Sequence, residues 1–148
     1  KYKIELSDED KNSINSIEQV LRKHRNHPIS LNYLIETTKY NPKRVGDLLH
    51  VLIENGKAES LGDNLYIHIK HLNHLKKIIN EYFKGEDSLN ISDFKKLTGL
   101  TRKTAIPLLE YLDKKKYTIR SGNVRIMGES NEKRNWSQYA SNEAVSWG

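Results

Sequence analysis

Two groups of cations lie where solubility alone does not require them. Thr101-Arg102-Lys103 falls at the start of a predicted helix. A helix N-terminus offers free N–H groups and positive dipole, so two cations there oppose the helix unless an anion binds. Lys95 and Lys96 lie just before it. They either extend the basic patch or simply lay their stems over the surface. Arg120 and Arg125 flank Gly122-Asn123, and a two-residue hairpin loop at that pair sets the two guanidiniums directly opposite each other. Like charges so placed destabilise a hairpin. A phosphate, or a base edge gripped by a guanidinium fork, relieves the conflict. In this register Val124 and Ile126 face the core and Arg125 faces out. A different register would separate the pair.

Other chemistries find less material. His68, His71 and His74 recur at a spacing of three, the spacing at which imidazoles on one helical face share a divalent ion. His68, however, belongs to a preceding strand pattern, so exposed histidines between two modules are the plainer reading. Cysteine is absent, which removes disulfides, thiol nucleophiles and cysteine-held zinc together. There is no Gly-rich phosphate loop, and no nucleophile stands beside a recognisable base. No catalytic residue is assigned, no metal and no enzyme activity. In the polar tail, Trp136, Tyr139 and Trp147 either stack on bases, pack back on the protein or stay disordered.

The charge distribution sharpens the reading. The 148 residues carry a net charge of +6. Residues 1–70 are nearly balanced, with 11 Lys/Arg against 10 Asp/Glu. Residues 71–128 hold 12 against 6, and the tail 129–148 holds 2 against 3. Solubility does not call for such segregation, whereas a polyanionic partner for residues 71–128 does. No apolar run approaches the ~20 residues of a membrane span. No signal peptide is visible, and a start at Lys1 suggests a piece of a longer protein.

The elements that must position these residues come in two similar sets. Ser7 caps a first helix with Ile14, Ile17, Val20 and Leu21 on one face, ended by Pro28. Ser30 caps a second through Leu31, Leu34, Ile35 and Thr38. Asn41-Pro42 starts a third, lined by Val45, Leu48, Leu49, Leu52 and Ile53 and stopped at Asn55-Gly56. A hairpin follows, Lys57–Ser60 and Leu65–Ile69, in which Leu65, Ile67 and Ile69 alternate with Tyr66 and His68. The order then repeats. Leu72, Leu75, Ile79, Tyr82 and Phe83 trace a helix. Ile91, Phe94 and Leu97 trace a short second, closed at Thr98-Gly99. Thr101 caps a third, and residues 117–120 and 124–127 form a second hairpin. Ser30-Leu31-Asn32 recurs as Ser88-Leu89-Asn90, and offsets hold at 58 to 60 residues. Such a repeat means two copies of one unit. Pro107 sits inside the last helix, where it removes the bond to the Lys103 carbonyl. A bent helix is expected there, because Ala105 keeps phase with Leu108, Leu109 and Leu112.

Three helices and a β-hairpin make the winged-helix plan, a helix-turn-helix with a hairpin wing. The fold class is therefore α+β, mainly helical. The expected domains are module one at 1–70, module two at 71–128 and a polar C-terminal tail at 129–148.

The run from Phe94 to Asp113, awkward Pro107 included, and the hairpin from Thr118 to Ile126 resemble the last winged-helix module of the bacterial selenocysteine-specific elongation factor. The match is specific over 94–127 and generic over 1–70. The resemblance implies a non-enzymatic, RNA-binding fragment of that translation factor. It would hold an mRNA stem-loop, the selenocysteine insertion element, beyond an in-frame UGA codon. It further implies Arg102, Lys103, Arg120, Gly122 and Arg125 as contacts to the loop, which suits the preference of proteins for splayed loop bases. The candidate RNA-binding set adds Thr101, Asn123, Lys95 and Lys96. Three positions depart from the family: Thr101 stands for its usual Ser, Thr104 for a common aromatic and Ile119 for a common Arg. GTP with Mg, the ribosome and selenocysteinyl-tRNA would be met through other parts of such a protein, leaving no cofactor here. A monomer in the cytoplasm is expected. A tandem winged-helix transcription regulator reading duplex DNA, or a protein-docking pair, remains the alternative.

Overall fold

A computed structural model of the chain describes residues 6–128; the tail aromatics Trp136, Tyr139 and Trp147 lie outside them. Two compact units divide at His74/Leu75, inside a helix rather than ahead of it.

In the first unit, α1 (Asp8–Lys23) starts at Ser7, whose hydroxyl accepts from the Asp10 amide at 3.0 Å. Asp8, Glu9 and Asp10 occupy its positive end. It stops at Lys23, and a turn intervenes before Pro28. Strand β1 (Ile29–Ser30) leads into α2 (Leu31–Thr38), capped by Ser30 at the Tyr33 amide. Helix α3 (Pro42–Glu54) is capped by Asn41, which accepts from the Arg44 amide at 2.8 Å. Strands β2 (Ala58–Gly62) and β3 (Leu65–His68) close the unit in a sheet of order β1-β3-β2. Ile17, Leu21, Leu34, Val45, Leu49 and Leu52 form the centre of its core.

The second unit repeats the plan. Helix α4 (Ile69–Gly85) buries Leu75, Ile79 and Phe83. Strand β4 (Leu89–Asn90), α5 (Ile91–Thr98), α6 (Arg102–Lys114), β5 (Thr118–Ser121) and β6 (Val124–Met127) follow. The sheet order is β4-β6-β5. Phe94, Leu108 and Leu112 are fully enclosed. Helix α6 runs through Pro107 from Arg102, as the phase of Ala105 demands. The chain is thus α+β and mainly helical, in two winged-helix units.

Several local expectations are corrected. Short strands β1 and β4 pair with the return strands of the hairpins, and no periodicity over two residues could reveal them. Asn90, not Ser88, caps α5. The true equivalence is therefore Ile29-Ser30-Leu31 with Leu89-Asn90-Ile91. Leu97 is exposed, while Thr98 and Leu100 are buried. Thr98 turns inward because its hydroxyl donates to the Phe94 carbonyl at 2.8 Å. His68 is buried, not outward. Its Nδ1 accepts from the Lys70 amide, so Nε2 carries the proton and donates to Glu18 at 2.9 Å. Ile69 leaves the strand altogether to begin α4. His71 and His74 are on that helix and His68 on β3, and no metal-holding group exists among the described residues.

Candidate nucleic-acid interface

The turn between α5 and α6 sets the first part of the site. Gly99 closes α5 in the left-handed conformation, φ 77°, and its amide donates to the Lys95 carbonyl at 2.8 Å. Leu100, buried, pins the turn. Thr101 then starts α6 in extended conformation, but its side chain makes no capping bond. Its carbonyl accepts from Ala105 at 2.8 Å and Thr104 at 3.2 Å. The amides of Arg102 and Lys103 have no hydrogen-bond partner among the described residues. Module one differs at the equivalent place, where the Asn41 side chain occupies the helix end. The second module leaves that end open beneath two exposed cations, Arg102 and Lys103. Lys96 is exposed and Lys95 half-buried on α5.

The wing is the second part. Ser121 pairs with Val124 across Gly122-Asn123, and Arg120 stands opposite Arg125, as the two-residue loop requires. Gly122 has φ 64°, the positive value that the first position of a type II′ loop takes. Arg120, Gly122 and Asn123 are all exposed. The Arg120 Nε donates to the Gly122 carbonyl at 3.2 Å, so the side chain curls over its own loop.

Arg125 corrects the sequence reading. It is 4 % exposed, whereas Ile119 and Ile126 are 46 % and 39 % exposed. The hairpin presents the opposite face to the core from the one its β-branched residues suggest. The reason is Asp113, at the end of α6. Its carboxylate accepts from Arg125 Nη2 at 2.9 Å and Nε at 3.2 Å, and from the Thr118 hydroxyl at 2.6 Å. A guanidinium held by two charge-assisted bonds is better buried than left facing Arg120. Asp113 is the residue sequence reasoning missed. It is the lone acid beside Lys114-Lys115-Lys116, which was its one visible signal.

Module one carries no counterpart of the arginine pair. Ser60 stands opposite Tyr66 and Gly62 opposite Leu65, with a bulge between them.

An α5–turn–α6 unit with an open helix end, and a cationic wing beside it in sequence, define a winged helix whose exposed surface suits an anion. Residues 81–127 match the family model described as "Elongation factor SelB, winged helix", so the resemblance read at 94–127 holds. The chain is 32% identical over 98 residues to the selenocysteine-specific elongation factor of Desulfomicrobium baculatum, covering 66% of this chain but 16% of that protein. It is similar in fold to the mRNA-binding domain of elongation factor SelB from E. coli, solved in complex with SECIS RNA. The TM-score is 0.73 at 21% identity, over 84% of this chain and 100% of that one. A second similar structure is a bacterial selenocysteine-specific elongation factor, EF-Sec, with TM-score 0.63 and 29% identity, over 84% of this chain and 20% of that one. This chain therefore spans about a sixth of the D. baculatum factor.

Proposed function

We propose that this chain holds an mRNA stem-loop, as the RNA-binding end of a selenocysteine-specific elongation factor acting at UGA codons in the cytoplasm. What carries the reading is the pairing of an uncapped α6 N-terminus with exposed Arg102, Lys103 and Arg120, all inside the SelB-type segment. Open amides and fixed cations suit phosphate oxygens. The Arg120 guanidinium, free to leave its loop carbonyl, suits a base edge or a backbone fork. Thr101, Gly122 and Asn123 let the backbone approach, while Lys95 and Lys96 add sequence-blind attraction. Arg125 acts as a positioning residue that fixes the wing through Asp113. GTP with Mg, selenocysteinyl-tRNA and the ribosome fall to the rest of such a factor. The described helices include none long and apolar enough to cross a membrane.

The experiment is a titration against a stem-loop RNA, the same stem closed without its loop, and random DNA duplex. Losing the loop should weaken binding by clearly more than about 1 kcal/mol, the scale of a base contact. Equal affinity for the plain duplex would overturn the reading.

A further inference from the structure

The first unit contains a pocket of about 390 Å³ lined by Arg22, Arg25, Asn26, Lys70, His71 and His74. The end of α1 and the turn after it supply one wall, and the first turns of α4 supply the other. We propose that this pocket is a second anion site, one that takes a phosphate of an RNA backbone.

The charge around this pocket is mostly uncompensated. No carboxylate lines the pocket. Arg25 and Lys70 are exposed and have no ion pair among the described residues. Arg22 reaches Glu18 only at 4.0 Å, and that carboxylate is held instead by His68 at 2.9 Å. The larger pocket of the same unit, about 610 Å³ around Asn41, shows the contrast. There Lys43 and Arg44 are answered by Asp47 at 3.1 Å and Asp10 at 3.0 Å. Equal numbers of acids and bases make an ordinary surface; cations alone around a concavity make a receptor for an anion.

The walls are also fixed. His71 Nε2 donates to the Arg22 carbonyl at 2.7 Å, which ties α1 to α4. Arg25 holds φ 50°, a left-handed value that sets the direction of the turn. Guanidiniums at Arg22 and Arg25 match phosphate oxygens as forks, and Lys70 adds a point charge. The neighbours Arg22, His68 and His74 help burial hold the His71 imidazole below its usual value; a bound phosphate would reverse that pressure. The volume exceeds a lone phosphate and admits the sugars on either side. This rests on the RNA reading of module two only for the identity of the polymer, not for the chemistry.

The test uses the whole 148-residue chain and amide NMR, with a hairpin-free uridine octamer as one probe and inorganic phosphate as the other. Saturable shifts at Arg25, Asn26, Lys70 and His71 are expected with the octamer. The variant Arg25→Gln/Lys70→Gln should abolish them and lower the slope of log affinity against log salt by about 1.4, two single-strand contacts at about 0.7 each. Shifts that persist in the double variant, or no saturation by the octamer, overturn the proposal. Saturation by inorganic phosphate alone overturns the backbone assignment. Shifts at Arg25 and Lys70 without any at Lys103 and Arg120 support this site independently of module two, whose proposed ligand is the loop that the octamer lacks.

Discussion

The Asp113 carboxylate receives Arg125 from β6 and Thr118 from β5, at 2.9 Å and 2.6 Å, so one side chain at the end of α6 holds both strands of the wing. Arg125 is 5 % exposed at its side chain and Asp113 21 %. Removing one partner leaves the other charge buried and unanswered, which costs about 3–5 kcal/mol in enclosed pairs. Partial exposure of Asp113 puts this pair near the low end. Arg125→Ala and Asp113→Ala should each destabilise module two by about 3 kcal/mol in urea unfolding. This reverses what an outward Arg125 implied, namely relief of the opposed arginines. A wild-type midpoint for Arg125→Ala would return the arginine to the surface.

Arg120 separates from Arg125 in the opposite direction. It is exposed and, among the described residues, bonded only to its own loop. Arg120→Ala should leave stability within about 0.5 kcal/mol, as surface changes do. Stem-loop binding should weaken by about 1–3 kcal/mol. Unchanged affinity in a folded Arg120→Ala chain would remove the wing tip from the interface.

How much of this was legible depended on whether the signal was local. Ser7, Ser30 and Asn41 were read as caps because each is a hydroxyl or amide ahead of an apolar period, and all three bond as expected. The continuous α6 followed from the phase of Ala105 against Leu108 despite Pro107. The Arg120–Arg125 pairing followed from loop length alone. Two of the failures needed a partner supplied by another element. His68 was placed outward because Glu18, 50 residues away, could not be foreseen beneath it. Arg125 was placed outward because a β-branched neighbour is a weaker determinant than a carboxylate contributed by another element. Leu97 lost to Thr98 because a side chain that bonds its own helix can be buried as readily as an apolar one.

The open end of α6 sets stability against binding. Thr101 supplies no side-chain cap, and the amides of Arg102 and Lys103 have no partner among the described residues. Thr101→Asp would supply both a cap and a negative charge at the positive end of the helix. Module two should gain about 0.5–1 kcal/mol in thermal unfolding, while RNA binding weakens because the new carboxylate occupies the phosphate position. If stability and affinity rise together, the helix end is not where the anion binds.

Lys96 tests the sequence-blind part of binding. It is exposed at the end of α5. Lys96→Ala should weaken stem-loop, scrambled loop and duplex RNA by the same factor. It should also lower the salt slope by a little under one. A loss confined to the cognate loop would make this lysine a reader rather than an attractor.

Module one should respond to acid in two stages. His24 and His71 are both held below the usual value of 6.5, in each case chiefly by burial. The unfolded chain therefore takes up their protons first, and stability falls as pH drops through 6.5 toward the folded values. Glu18 lies below its usual 4.5, chiefly because His68 donates to it. Its contribution is present above 4.5 and is lost as pH falls through the lower folded value. From these groups, stability is level above the histidine window, declines below about pH 6.5 and declines again below about pH 4.5. Urea unfolding across pH 3.5–8, followed by the Leu34 and Leu49 amides of the core, reads both stages. His71→Asn should flatten part of the first decline. Glu18→Gln should remove the second and lower the neutral-pH baseline, since His68 loses its charged acceptor. A module that grows more stable between pH 7 and 5 would show that burial of the two imidazoles does not govern its acid response.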